Sequence, residues 1–302
     1  MEKSQGVGPF GGAPPEYEEE DFDFNLKSLE KQYERFYSTS SQPQSLMDGG
    51  PFYVPLVENT NTTSLLIPDT MRVYIDLKVL MADGSNLAAD FKTSHCSFLP
   101  HAIFRSIDVI LNGSLLVSSE NYYAFNSYIL NMCSFTSEGR KFNLSLQGFE
   151  EGDEMTSSAV AEADLAKTRF AARGARMVES KTIRLAMVPQ LDILNLPSLI
   201  PPNCSLALCF HKQNAAFPFF TKGTDAENLT FRITKLKVTA RHVVPTPELL
   251  NKIMKRIQDP ITVPVVRSSV RVVQVPSHQL HVSYSQLFKG ILPRYVCYSK
   301  FT

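Results

Sequence analysis

The 302-residue chain has no tryptophan, no excess of charge of either sign and no long apolar run. Each absence excludes something. Thirty Lys/Arg balance thirty Asp/Glu, which removes the simplest electrostatic case for a dedicated nucleic-acid binder. No stretch is long and apolar enough to span a bilayer as a helix, and the start, Met1-Glu2-Lys3-Ser4-Gln5-Gly6, lacks the pattern of a signal peptide. Cysteine is sparse and odd in number. Cys96, Cys133, Cys204, Cys209 and Cys297 are scattered and form no disulfide framework of the small secreted kind. The expectation is a soluble intracellular protein with reduced thiols. Hydrophobic residues at 43% and charged residues at 20% are ordinary for a globular chain and exclude wholesale disorder.

Charge is balanced overall but not locally. Residues 1–50 hold four Lys/Arg and ten Asp/Glu, a net of −6, and residues 241–302 hold nine and two, a net of +7. Gly6 to Pro15 is rich in glycine and proline, and Glu16-Tyr17-Glu18-Glu19-Glu20-Asp21 is an acidic run. Neither buries enough apolar surface to offset the entropy of ordering. Residues 1–45 therefore read as a disordered acidic arm, with a transient helix over Asn25–Tyr37. Such an arm is either a solvated tail or a tether for a basic surface, the C-terminal section being the candidate.

From Phe52 onward the texture is that of strands, short Val/Ile/Leu/Phe/Tyr runs separated by Pro, Gly, Asn and Asp. Met71–Leu80 alternates, with Val73, Ile75, Leu77 and Val79 on one face. Ser106–Leu111 and Ser114–Val117 flank Asn112-Gly113, the strongest short hairpin signal, because a type I′ turn needs positive φ at both central residues. Further strands are expected at Lys181–Met187, Ser205–His211, Leu229–Lys235, Lys237–Val244, Val263–Val266, Val270–Val275 and Arg294–Tyr298. In the Lys237–Val244 region, Leu236, Val238 and Ala240 face one way and Lys237, Thr239 and Arg241 the other. No strand–helix–strand rhythm points to a parallel sheet. The pattern predicts an all-β, antiparallel sandwich with long loops and a few short helices. One helix is expected in Ser119–Phe135, with Tyr122, Phe125, Ile129, Met132 and Cys133 as its apolar stripe. Another is expected in Thr246–Asp259, where Thr246 caps, Pro247 starts, and Leu249, Leu250, Ile253, Met254 and Ile257 form the buried face. Ser158–Ala172 reads as a weaker helix or a surface excursion.

The chemical inventory yields no catalytic, cofactor-binding or metal-binding residue. No Gly-x-Ser-x-Gly elbow and no glycine-rich phosphate loop occurs. The six histidines, at positions 95, 101, 211, 242, 278 and 281, are scattered. Two loose groups are worth testing for metal, Cys204/Cys209/His211 and His95/Cys96/His101. Cys204 and Cys209, five apart on a strand, would face opposite ways, and the second group lacks the paired spacing of structural zinc sites. Asn-x-Ser/Thr sequons occur at Asn61, Asn112, Asn143, Asn203 and Asn228, of which Asn112 is better used by its turn. A binding or architectural role is favoured over catalysis.

Several segments in order resemble the double jelly-roll major capsid (hexon-like) proteins of Polinton- and adintovirus-like elements and large DNA viruses. They are Tyr74-Ile75-Asp76-Leu77, Ala82–Leu87, Pro100–Gly113, the helical Asn121–Ile129, Lys237–Pro245 and Gln286–Val296. The resemblance covers about residues 55–298 and rests on order and spacing. It implies jelly rolls side by side, three subunits per pseudo-hexagonal capsomer, no enzymatic activity and no cofactor. It also implies copies of the chain and other capsid subunits as partners, and a place in the virion after synthesis in host cytoplasm or nucleus. In that family the helix like Thr246–Asp259 lies near the junction of the two rolls. The expected domains are thus the arm (1–45), a jelly roll (46–245), and a junction helix with the first strands of an incomplete second roll (246–302). Alternative readings are a single jelly-roll, penton-type minor capsid subunit and a non-viral β-sandwich binding module.

Overall fold

Strict alternation along the chain decides this architecture. In Leu65–Met81 the side chains of Val73, Ile75, Leu77 and Val79 are wholly buried, while Arg72, Tyr74 and Lys78 between them are exposed. The structure, a computed structural model, describes residues 33–43, 45–46, 49–57, 63–117, 122–136, 139, 144–149, 159–160, 173–195, 199–222 and 228–259. It also describes 265, 267–271, 273, 283 and 296. In chain order the strands are β1 (Tyr33–Ser41), β2 (Phe52–Val57), β3 (Leu65–Met81), β4 (Thr93–His95), β5 (Phe104–Leu111), β6 (Ser114–Val117), β7 (Ala159–Val160), β8 (Ile183–Met187), β9 (Leu206–Lys212), β10 (Phe219–Lys222) and β11 (Leu229–Pro245). The helices α1 (Leu99–Ala102), α2 (Tyr123–Ser134) and α3 (Pro247–Arg256) interrupt or follow them.

Eight strands form two four-stranded sheets, ordered β1-β11-β3-β8 and β2-β9-β5-β6. Every pairing within them is antiparallel. Lettered B to I in chain order, these strands give the sheets B-I-D-G and C-H-E-F, which is the connectivity of two interlocked Greek keys. The fold is a jelly roll. A small third sheet, β4-β10-β7, lies beside it.

The core fills the space between the sheets. Val54, Phe210 and Ile107 from one inner face meet Ile75, Phe231 and Val238 from the other, and all belong to one buried apolar cluster. A second cluster forms outside the first sheet, where Leu249 and Ile253 of α3 cover Leu65, Ile67 and Val243. Pro247 occupies the first turn of α3 after Thr246, as expected, although Thr246 makes no side-chain capping bond and Met254 is exposed. At the hairpin, Asn112 and Gly113 have φ of +50° and +77°, and the Asn112 carboxamide oxygen accepts the Ser205 N–H. Positive φ at both positions is what a type I′ turn requires.

Four expectations need correction. Leu229–Lys235 and Lys237–Val244 are one 17-residue strand, β11. Its register against β3 slips between Ile233 and Lys235, so the buried set switches from Phe231 and Ile233 to Leu236 and Val238. A bulge flips the alternation without ending the strand. The tail of the presumed arm, Tyr33–Ser41, is likewise extended, not helical or disordered. Its backbone pairs with β11, Tyr37 stacks on His242, and the Tyr37 hydroxyl donates to Ser64 Oγ.

In α2 the buried residues are Tyr123, Ser127 and Asn131, not the apolar stripe of Tyr122, Phe125, Ile129, Met132 and Cys133. That polar seam meets polar partners: the Gln190 side-chain amide donates to Asn131 Oδ1, and Asn131 donates to the Ser127 carbonyl. Of Ser158–Ala172, the described pair Ala159–Val160 is a strand, β7, running parallel to β10. Val263–Val266, Val270–Val275 and Arg294–Tyr298 fall mostly outside the described residues. The described positions among them, including Val270, Arg271 and Val296, belong to no strand.

Candidate interaction surfaces

Side chains with chemical potential are mostly committed to holding the fold. His101, in α1, donates from Nε2 to Gln147 Oε1 at 2.9 Å, which leaves Nδ1 to accept the Tyr123 hydroxyl at 2.9 Å. The same hydroxyl accepts the Gln190 backbone N–H. Burial holds the His101 imidazole down to about 4, so it is neutral near pH 7. His95, on β4, donates from Nδ1 to the Cys96 carbonyl. Burial first, then the nearby Arg173 and Arg176, also bring its pKa to about 4. Its Nε2 has no hydrogen-bond partner among the described residues.

The two sequence-nominated metal groups do not assemble. Cys204 precedes β9, and its thiol pKa is raised by burial. Cys209 and His211 lie on the outer face of β9, where His211 Nε2 stands 2.9 Å from Asp108 Oδ2 on β5. Burial and then the Asp108 carboxylate raise the Cys209 thiol, the opposite of what a nucleophile or ligand needs. His242 stacks on Tyr37 and meets Thr39 Oγ1 at 2.9 Å. His278 and His281 lie outside the described residues, as do Asn61, Asn143 and Cys297. Among the described residues no three His, Cys, Asp or Glu side chains stand close enough to share a metal ion, and no helix is long and apolar enough to cross a membrane.

What remains are the outer faces of the sheets. On the β2-β9-β5-β6 sheet, Pro55 pairs with Ala207, Ala207 with Ile110, and Ile110 with Leu115. These four side chains make an apolar row across all four strands, ending at Leu115, which is 61% exposed. Tyr53, 48% exposed, stands in the next row. The outer face of the other sheet is different. Lys237 lies opposite Tyr74, Thr239 opposite Arg72, Lys235 opposite Asp76, and Asp76 opposite Arg184. The alternation in the sequence sets Lys237, Thr239 and Arg241 on one face, and the structure shows that face to be the outer one. Cations from β3 and β8 join them only through pairing across the sheet.

No family model matches the chain. It is 20% identical over 198 residues to the uncharacterized protein F54H12.2 of Caenorhabditis elegans, covering 65% of this chain and 45% of that protein. Among solved structures it is similar to a chain of the Sputnik virophage (TM-score 0.45, 12% identity, 72% of this chain and 49% of that one). It is also similar to the Faustovirus major capsid protein (0.41, 11%, 74% and 56%) and to the mavirus major capsid protein (0.34, 12%, 70% and 47%). The chain thus spans about half the length of these proteins, or less. The fold assignment rests on the strand order.

Proposed function

We propose that the chain is a structural subunit of a capsid, or a genome-integrated descendant of one, built on the jelly roll described above and acting by self-assembly. The observation that carries the reading is the pairing of an apolar-filled interior with an outward apolar row, Pro55–Ala207–Ile110–Leu115. Jelly rolls serve capsids, lectins and cupins. A cupin-type site needs ligating side chains aimed into the barrel, and here that space is taken by residues such as Phe104, Phe210 and Phe231. Of that row Ala207 is buried, Pro55 and Ile110 are partly exposed and Leu115 is exposed, so the Leu115 end, with the exposed Tyr53 on the same face, is the part suited to burial against a copy of the same molecule. The sequence resemblance to double jelly-roll capsid proteins supports the same reading and adds a finer one, three copies around a common axis in the virion.

Size-exclusion chromatography with light scattering and negative-stain imaging test it on the full chain. A discrete oligomer is expected, with three copies as the finer expectation. A chain that stays strictly monomeric at high concentration, and binds glycans tightly in that state, would overturn the reading in favour of a recognition module.

A further inference from the structure

The outer face of the β1-β11-β3-β8 sheet concentrates positive charge. Lys235, Lys237 and Arg241 on β11, Arg72 and Lys78 on β3, and Arg184 on β8 all face outward, and five of the six are exposed, Lys237 being half-buried. Among the paired positions of these three strands the face carries a single carboxylate, Asp76, with Asp69 in the unpaired bulge at its end. Arg232 lies directly opposite Lys78 and is exposed on the same face. Tyr74, 43% exposed, stands in the middle of the cations.

The chain supplies a matching anion. Residues 16–23, Glu-Tyr-Glu-Glu-Glu-Asp-Phe-Asp, carry six carboxylates interleaved with two aromatic rings. They precede β1, which is the edge strand of this same sheet. Asp23 is ten residues before Tyr33, a tether that reaches up to roughly 35 Å. Tyr33 pairs with Pro245, and from there to Lys237 is eight residues of strand, about 26 Å. The run therefore reaches the Arg241–Lys235 stretch of its own sheet, and a tether that short raises the local concentration of the run to about the millimolar range.

We infer that the basic outer face of the β1-β11-β3-β8 sheet is the docking site of the acidic segment 16–23 of the same chain, which covers the face against other polyanions. The inference is independent of whether the chain assembles. It relocates the partner of the acidic arm from the C-terminal section to the sheet that the arm leads into.

Zero-length carbodiimide coupling on a mixture of normal and 15N-labelled full-length chains tests it. Carboxylates of 16–23 are expected to couple to Lys78, Lys235 or Lys237 within one isotopic chain. The coupling should disappear in about 1 M NaCl, where the screening length falls to ~3 Å. Products confined to Lys252, Lys255, Lys289 or Lys300, or absent altogether, would overturn the inference. Products joining both isotopes would make a second copy the occupant and overturn the same-chain assignment. In parallel, the six acids are changed to Gln or Asn in the full chain, with circular dichroism to check folding. Affinity for a single-stranded oligonucleotide should then rise about tenfold at low salt and keep a steep salt dependence. Equal affinity before and after neutralisation would mean that the arm does not cover the face.

Discussion

At the scale of single residues, His95 and His101 carry the clearest consequence. Both are fully buried and titrate near 4 in the fold, against 6.5 when unfolded. Between those values the unfolded chain binds more protons, so stability rises with pH in that window. It is complete above about 6.5 and is lost progressively as pH falls toward 4, by roughly 3 kcal/mol per ring at the acid end. Urea denaturation at a series of pH values should show this slope, and His101→Asn should flatten part of it; a flat profile in the parent chain would contradict the burial of both rings. Gly174 makes a second case. A Cβ built there collides with the Thr93 carbonyl oxygen of β4, so Gly174→Ala should destabilise by about 1–3 kcal/mol, read as a shift in denaturation midpoint at constant slope. Neither consequence was legible in the sequence. His95 and His101 read there as scattered residues, since Gln147 and Tyr123 lie 46 and 22 positions from His101 along the chain.

At the scale of elements, α3 was readable because its cues are local: Pro247 at the start, Leu249 and Ile253 four apart, Lys252 and Arg256 opposite. Ile253→Ala should cost about 2–4 kcal/mol of docking, since it opens a cavity against Leu65, Ile67 and Val243. Hydrogen exchange is expected to rise in α3 and its β11 contact while β5 and β9 stay protected. Uniform loss of protection would mean that the helix is integral to the roll. The buried face of α2 is not legible in the sequence for the converse reason. Periodicity marks the apolar stripe, yet the side turned inward is set by polar partners such as Gln190, which sequence distance hides. In β11 the alternation is sound on both sides of Thr234, and only the pairing with β3 shows that one strand passes through the change of phase.

At the scale of the whole molecule, the two outer faces divide the labour. One carries the Pro55–Ala207–Ile110–Leu115 row, the contact surface under the proposed function, and the other carries the cations to which the acidic segment is proposed to dock. Leu115→Lys places a charge at the exposed end of the apolar row and should dissociate the oligomer expected under the proposed function without moving the thermal midpoint by more than a degree or two, since an exposed substitution changes stability by only about 0.5 kcal/mol. Light scattering and a melting curve on the same sample decide it; unchanged assembly would exclude the row from the contact.

The sequence by itself determined β3, β5, β6, β8 and β9, the Asn112-Gly113 turn, α3 and the antiparallel sandwich, because period-two alternation, positive φ and helix-start chemistry are properties of neighbouring residues. Only the tertiary structure decided that Tyr33–Ser41 is a strand. Its inward residues Tyr37 and Thr39 are not apolar, and main-chain pairing with β11, some two hundred positions later, is what holds it. The same is true of the strand order and of the basic face. Each brings together residues far apart along the chain, and no local pattern encodes which strand becomes another's neighbour.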